Sequence, residues 1–398
     1  MSASAYLSRR QEFALSVVVA VVTANAYYIH PIIGEVAAHF GISEARIGLV
    51  PALNQIALAI GIFLLLPLGD RFSNKRLTVV FVSGQTLSLA AMTLSDSFTV
   101  FTIGSTALGF FTIAPYLLPA YASKRVAPER LGQVTALLTA GVILGILIAR
   151  VGAGVVTEHF GWRAVYWIAT SLMLAITLAL PFLMEGRRGG ADENRTGYGA
   201  LVASLFPLMK QHREVLLSGA IQALNFGGFI ALWLGLALHL TSDEMGYGVD
   251  TVGYLAGISA VSIFSTPRLG RWADSVGPRK ARFVFALIQF GGLLLLWPLG
   301  QSLWLLLIPL FIGNLVGPGI DVTGRMTFLS LEPSLRTRLT TIYIVLMFIG
   351  GGLASILGTT VYDAFGWAGT CALLVGISGS LGVLSYLARS LYEQRVPA

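Results

Sequence analysis

The sequence predicts an all-α, polytopic membrane protein of twelve transmembrane helices arranged as two parallel six-helix halves, and three observations carry that expectation. Of its 398 residues, 55% are hydrophobic and only 11% charged; soluble domains carry roughly 25% charged residues, so this surface cannot be clothed for water. The apolar residues arrive in runs of about 18 to 25, the length that crosses a ~30 Å hydrocarbon core at ~1.5 Å rise per residue. A set of residues also recurs at a single offset along the chain, as internal duplication requires.

The first run, Phe13 to Ile33, follows Arg9 and Arg10 but is longer than a secretory apolar region and is followed by no small-residue cleavage site, so it reads as a retained helix. Five more follow at Arg46 to Leu66, Leu77 to Ser95, Phe98 to Pro119, Leu131 to Val156 and Ala164 to Met184. Residues 1–185 thus form one six-helix half. The polar stretch 186–213, within GRRGGADENRTGYG and beyond, reads as a linker, with a surface helix expected over Ala200 to Lys210. Residues 214–398 supply the second half, with runs at Glu214 to Leu240, Thr251 to Thr266, Arg282 to Gly300, Leu303 to Val322, Leu339 to Val361 and Trp367 to Ala388.

The net charge of +7 forms no nucleic-acid patch, because the cations recur in short groups between apolar runs. With both termini cytoplasmic, all 26 Lys and Arg except Arg46, Arg163 and Arg150 fall inside, as the positive-inside rule asks. The lone cysteine, Cys371, excludes an internal disulfide and sits in an apolar run as a small hydrophobe.

Phe160-Gly161-Trp162 recurs as Phe365-Gly366-Trp367, and 365 − 160 = 205; Glu158 matches Asp363 and Gly145 matches Gly350 at the same offset. Asp70 matches Asp274 at 204. Six spans separate the copies, so both lie the same way up in the membrane and the repeats are parallel. Locally the FGW motif reads either as an aromatic interface anchor or as part of the fold.

The loops LPLGDRFSNKR at Leu66 to Arg76 and GRWADSVGPRK at Gly270 to Lys280 resemble the signature loop of the major facilitator superfamily. The second copy keeps Gly270, Asp274, Gly277, Arg279 and Lys280; the first keeps Asp70, Arg71, Lys75 and Arg76 but has Leu66 and Ser73 where the family has glycine. With NAYYIHP at Asn25 to Pro31 and GVILGILIAR at Gly141 to Arg150, the resemblance spans nearly the whole chain and points to a bacterial branch labelled drug or sugar efflux permeases. It implies a bacterial inner-membrane transporter, no cofactor, a small organic solute, protons as the coupling ion, export, and a monomer in the bilayer. Two departures stand out. The fourth-helix arginine of proton-coupled drug exporters corresponds to Ser105, and the fifth-helix Gly-Pro is Gly145-Ile146.

An aspartate beside a helix end accepts backbone N–H bonds while nearby cations pair across a seam. The Asp70 and Asp274 loops are therefore expected either to latch one conformation or to be solvated positive-inside loops. Gly141, Gly145, Ala149, Gly350, Ala354 and Gly358 lie at four-residue spacing, which permits close helix approach within the fold or, alternatively, between copies.

Arg150 is the foremost intramembrane candidate, because a cation at that depth is costly and faces a wet cavity or the bundle interior. Two roles are open to it: holding an anionic group bidentately, or bracing the cavity against carbonyls or an acid such as Glu35. Asn25, Tyr28, Asn54, Gln55, Tyr116, Gln222, Asn225 and Asn314 are further candidates, their neutral amides and phenols suiting an organic molecule better than a metal ion, or serving only helix-to-helix bonds. His30 titrates in a useful range for a proton carrier, with an inert interfacial role as the alternative. Asp321 and Arg325 have the spacing of a simple i,i+4 ion pair.

No GxxxxGK[ST] loop, HExxH or GxSxG occurs, and the five histidines are scattered, so neither a nucleotide-driven pump nor a metal or serine enzyme has its parts. An uptake symporter or facilitator remains the alternative within transport, and an intramembrane enzyme or sensor the alternative outside it.

Overall fold

The computed structural model describes residues 6–185, 197–329 and 335–393, with the side chains at 70, 128, 201, 392 and 393 outside the described set. The described residues hold helices and no strand, and ten helical stretches are long and apolar enough to cross a membrane. In chain order the long helices are α1 Arg9–Phe40, α2 Glu44–Gly69, α3 Asn74–Leu94, α4 Phe98–Ser123, α5 Leu131–Phe160, α6 Trp162–Leu183, α7 Arg213–Leu240, α8 Val249–Val276, α9 Pro278–Leu294, α10 Leu303–Leu329 and α11 Arg336–Glu393. Of these, α9 has 17 residues and runs on through a turn into Leu296–Leu299, while α11 is interrupted at Gly366.

That interruption explains the repeated FGW. Gly161 at φ 78° ends α5, and Gly366 at φ 57° breaks α11, both in a region where a Cβ would clash with the backbone. The flanking residues divide the same way in both copies: Phe160 and Phe365 are 78% and 71% exposed, whereas Trp162 and Trp367 are 7% and 6%. Trp162 packs edge-on among Phe101 and Tyr166 at ring distances of 5.6 and 5.7 Å, and Trp367 stacks on His239 at 4.4 Å. The tryptophans are thus packed inside the bundle, and the phenylalanines face outward where lipid would lie.

Prolines locate the irregular turns. Pro31 has no N–H to offer the Tyr27 carbonyl, and α1 loosens just there: Tyr27 N–H donates to the Ala24 carbonyl at 2.9 Å and His30 N–H to Tyr27 at 3.3 Å, three residues back rather than four. In α4 the same happens before Pro115, where Thr112 leaves helical geometry. Midway along α8 the chain tightens into a short 3-10 turn over Gly257–Ala260.

Small residues set the tightest helix contacts. A Cβ on Gly145 would stand 2.3 Å from the Ala20 carbonyl oxygen, and one on Gly350 would stand 2.5 Å from that of Ala223. So α5 lies on α1, and α11 on α7, backbone to backbone. Between α2 and α11, Gly48 meets Thr359; between α5 and α8, Gly154 meets Gly253, a Cβ on Gly154 falling 2.9 Å from its Cα. These two contacts are one contact made twice, since 253 − 48 = 205 and 359 − 154 = 205. Around them the Ser355 hydroxyl donates to the Gly48 carbonyl at 3.2 Å, and Val249 N–H donates to Glu158 Oε2 at 3.0 Å.

The opposite end of the bundle carries the start of α1 and the end of α11. Leu7 N–H donates to the Arg125 carbonyl at 2.8 Å and Arg130 pairs with the buried Glu12 at 2.6 Å, seating the start of α1 beside the α4–α5 loop. Tyr386 packs on Phe283 at 5.6 Å, which brings the end of α11 to the start of α9. On this terminal face two short helices, Tyr198–Ala203 and Leu205–Gln211, occupy the described part of the expected linker; the remainder, 186–196, lies outside the described residues. They are not merely laid on a surface. Leu205 and Leu208 are buried and belong to one hydrophobic cluster with residues of α2, α4 and α11, among them Ile62, Leu117 and Leu339, and the Tyr198 hydroxyl donates to the Leu64 carbonyl at 2.7 Å.

Candidate functional site: a cavity shared by both halves of the bundle

Midway along the helices lies a cavity of about 450 Å³, walled by α1, α2, α4 and α5 on one side and by α7 to α11 on the other. Its wall is largely apolar, with a few polar groups, the composition of a site for an organic molecule. Six of the sequence candidates line it: Tyr116, Arg150, Gln222, Asn225, Asn314 and Asp321. The remaining intramembrane candidates, Asn25, Tyr28, His30, Asn54 and Gln55, are buried between helices and are not part of this wall. Among them Asn54 donates to the Ser105 carbonyl at 2.7 Å, which ties α2 to α4. His30 lies edge-on to Tyr27 at 5.2 Å, and both its ring nitrogens are buried without a hydrogen-bond partner.

Arg150 is only 2% exposed, and its guanidinium carbon sits 3.6 Å from the centre of the Trp233 ring and 5.2 Å from that of Phe229. Trp233 and Phe229 belong to α7, so the contact bridges the two sides of the cavity. A desolvated cation over tryptophan is worth about 2 kcal/mol, against about 2.5–3.5 kcal/mol for placing arginine at the centre of a membrane helix. The stacking therefore offsets much of the placement cost but satisfies none of the N–H donors. Among the described residues none accepts a hydrogen bond from this guanidinium, Glu35 is exposed away from it, and Tyr27 and His30 are the ionisable groups that interact with its charge.

The amide and acid candidates are already engaged with the wall. Asn225 donates to Gln222 Oε1 at 3.2 Å and to the Gly317 carbonyl at 3.1 Å, and Asn314 donates to the Leu310 carbonyl at 2.8 Å. Asp321 accepts from Arg325 Nε on both oxygens at 3.1 and 3.0 Å and from the Tyr343 hydroxyl at 2.9 Å. The i,i+4 pair is thus real, and it also faces the cavity.

Helix contacts of two kinds lie toward the two ends of the bundle. Away from the termini are the backbone-close Gly48–Thr359 and Gly154–Gly253 contacts. Toward the termini, Tyr116 of α4 meets Phe348 of α11 at 6.5 Å, and beyond it lies a second hollow of about 120 Å³ which Tyr116 also lines. On that side the contacts are between side chains, and Leu205 of the linker lines the second hollow.

The signature-loop residues lie on the terminal face. Asp70 ends a short 3-10 turn, with its side chain outside the described set. Arg71, Arg76, Asp274 and Lys280 are exposed. Lys75 donates to the Pro181 carbonyl at 2.7 Å, and Arg279 pairs with Glu214. Gly277, at φ 90°, ends α8, and Gly270 lies 3.8 Å from Val322 by its would-be Cβ. The Lys75–Pro181 and Arg279–Glu214 contacts each join residues on one side of the bundle.

Sequence reasoning did not single out Trp233, Phe229, Tyr27, Gln289 or Tyr343. For α7 the signal was present: Gln222, Asn225 or Phe226, Phe229 and Trp233 recur at three- and four-residue steps, one continuous face. What that face met could not be read from α7 alone.

Comparison with known proteins agrees with this architecture. Uncharacterized transporter YgaY of Escherichia coli O157:H7 is 27% identical over 360 residues, 90% of each chain. Multidrug resistance protein MdtG of Salmonella choleraesuis is 23% identical over 324 residues, 78% of this chain and 77% of that one. A crystal structure of a bacterial homologue of the human lysosomal transporter Spinster, in an inward-facing and occupied conformation, superposes with a TM-score of 0.79 at 15% identity, covering 97% of this chain and 98% of that one. The family model for the Major Facilitator Superfamily matches residues 15–320 and 217–397. The protein is a multi-pass membrane protein that belongs to the major facilitator superfamily of transporters, and not an enzyme.

Proposed function

We propose that the chain is a secondary transporter that moves a small organic solute by alternating access, exporting it in exchange for protons. The observation that carries this is the central cavity, built from both sides of the bundle, with backbone-close contacts toward one end and side-chain contacts toward the other. Rocking the sides about it would tighten one set of contacts as it loosens the other.

The same reading takes the chain as twelve crossings in two parallel repeats, residues 1–185 and 214–398, joined by the linker. Splitting α11 at Gly366 and counting α9 with its continuation raises ten candidate stretches to twelve. The doubled Gly48–Thr359 and Gly154–Gly253 contact supports the symmetry. Both termini are placed in the cytoplasm, where the cations concentrate, and the protein acts as a monomer in the bacterial inner membrane. In this frame the terminal face is cytoplasmic, and the Asp70 and Asp274 loops latch the alternative, outward-facing state.

Export is supported by the naming of a relative for multidrug resistance. For coupling, Asp321 is the carboxylate on the cavity wall among the described residues. Its protonation would dissolve the ion pair with Arg325 and free the Tyr343 hydroxyl, a local change able to loosen α10 from α11. The test is reconstitution in liposomes under imposed pH and Na⁺ gradients with a panel of organic anions, cations and neutral compounds. Flux driven by the pH gradient is the expected result; flux that ignores both gradients would sink the antiport, and no flux with any compound would sink transport.

A further inference from the structure

We infer that Arg150 is the anchor for the anionic group of the substrate, so that the cavity takes small amphipathic organic anions, monocarboxylates on an apolar body. This rests on the cavity being the transport site and adds the chemical class of what enters it.

The charges decide it. The side chains on the wall that carry a full charge at neutral pH, among the described residues, are Arg150, Asp321 and Arg325. Asp321 and Arg325 neutralise each other through two hydrogen bonds, and the pair holds a third bond from Tyr343. One positive charge is left, 2% exposed, with no acid and no acceptor at its donors. A buried cation that is stacked but not hydrogen-bonded has its flat face occupied by Trp233 and its N–H edge unspent. The ligand group that matches a planar fork of donors is a carboxylate, which it can bind in bidentate fashion. The wall is largely apolar, with Val142, Ile146, Leu147, Phe229 and Leu232 among its residues, so the rest of the ligand is a hydrocarbon or aromatic body rather than a sugar. Trp233 comes from α7 and Arg150 from α5. An anion that drew the guanidinium off the indole would therefore also weaken a contact between the two sides of the cavity, which links occupancy to rocking.

The test uses purified full-length protein in lipid nanodiscs and a set of ω-phenylalkanoates with two to six methylenes, each paired with its primary amide. Binding is read by calorimetry and by the change in intrinsic tryptophan emission. The expected result is that at least one carboxylate binds about tenfold or more tighter than its amide, as a charge-assisted bidentate pair requires. In Arg150→Gln that preference disappears while amide binding survives, and in Arg150→Lys it falls to an intermediate value. Equal binding of acid and amide by the wild type, no binding of any carboxylate, or a preference that persists in folded Arg150→Gln would each overturn the inference. The wild-type comparison and Arg150→Lys keep the test alive if Arg150→Gln fails to fold. A strut role alone is separated by Trp233→Leu: if it and Arg150→Gln shift the conformational balance alike while the wild type shows no acid preference, Arg150 only braces. The transport reading fails separately, through absence of flux with anion binding intact.

Discussion

Arg325 and Asp321 show how much one residue's meaning depends on what faces it. Spacing alone marked them as an i,i+4 pair, and the structure adds that the pair is bound by Tyr343 and faces the cavity. Asp321→Asn is predicted to leave a folded protein that still exchanges solute in the absence of a gradient but no longer follows an imposed pH gradient; pH-driven flux at the wild-type rate in this variant would remove Asp321 from the coupling role. At the far end of the bundle, the Arg163 guanidinium beside Asp96 holds that carboxyl below the usual carboxylate range by a hydrogen bond and by its charge. A lowered folded value contributes stability that is present above the unfolded pKa and fades as pH falls through the folded one. Because Asp96 is exposed, solvent screening keeps the effect small. Asp96→Asn is accordingly expected to leave the melting temperature at neutral pH nearly unchanged, with any difference shrinking in acid and in high salt. At this scale the cost of an intramembrane cation made Arg150 legible. Its partners were not, because Trp233 and Phe229 lie some 80 residues away in sequence, and hydropathy carries no information on which helix faces which.

Among the elements, the small-residue faces were the most informative. Four-residue spacing of Gly141, Gly145, Gly350 and Gly358 predicted close helix approach, and α5 on α1 and α11 on α7 realise it within the fold. Gly145→Val and Gly350→Val place carbon against backbone oxygen, which cannot swing aside, so each should cost about 1–3 kcal/mol as overpacking does. The two should lower the apparent melting temperature in detergent by similar amounts. Gly376→Ala, in the same α11 but with open space where its Cβ would stand, should melt unchanged or slightly higher. If the Val variants melted like Gly376→Ala, backbone-close packing would not be what holds these pairs. Proline accounts for the helix irregularities before Pro31 and Pro115. The tightening at Gly257–Ala260 has no proline and was not foreseen. Nor was the burial of Leu205 and Leu208, because a short polar-flanked helix looks the same in sequence whether it lies on lipid or plugs a gap.

For the whole molecule, span lengths and charge asymmetry were enough to anticipate a helical membrane protein; the pairing of Gly48 with Thr359 and of Gly154 with Gly253 fits the 205-residue offset but was not foreseen. The cavity itself was invisible, because it is made by helices from both sides meeting, and no local pattern encodes a void. The claim that matters most is that this cavity opens to each side of the membrane in turn. It is tested by Asn314→Cys in a Cys371→Ala background, labelled by a membrane-impermeant maleimide from one face and then from the other in oriented vesicles. The label should reach position 314 from both faces. When Gly48→Cys and Thr359→Cys are added and oxidised, two positions the structure sets directly against each other, labelling should persist from the terminal face and vanish from the opposite one. Access from one face only under all conditions, or access from both faces that the cross-link leaves untouched, would contradict alternating access through this cavity.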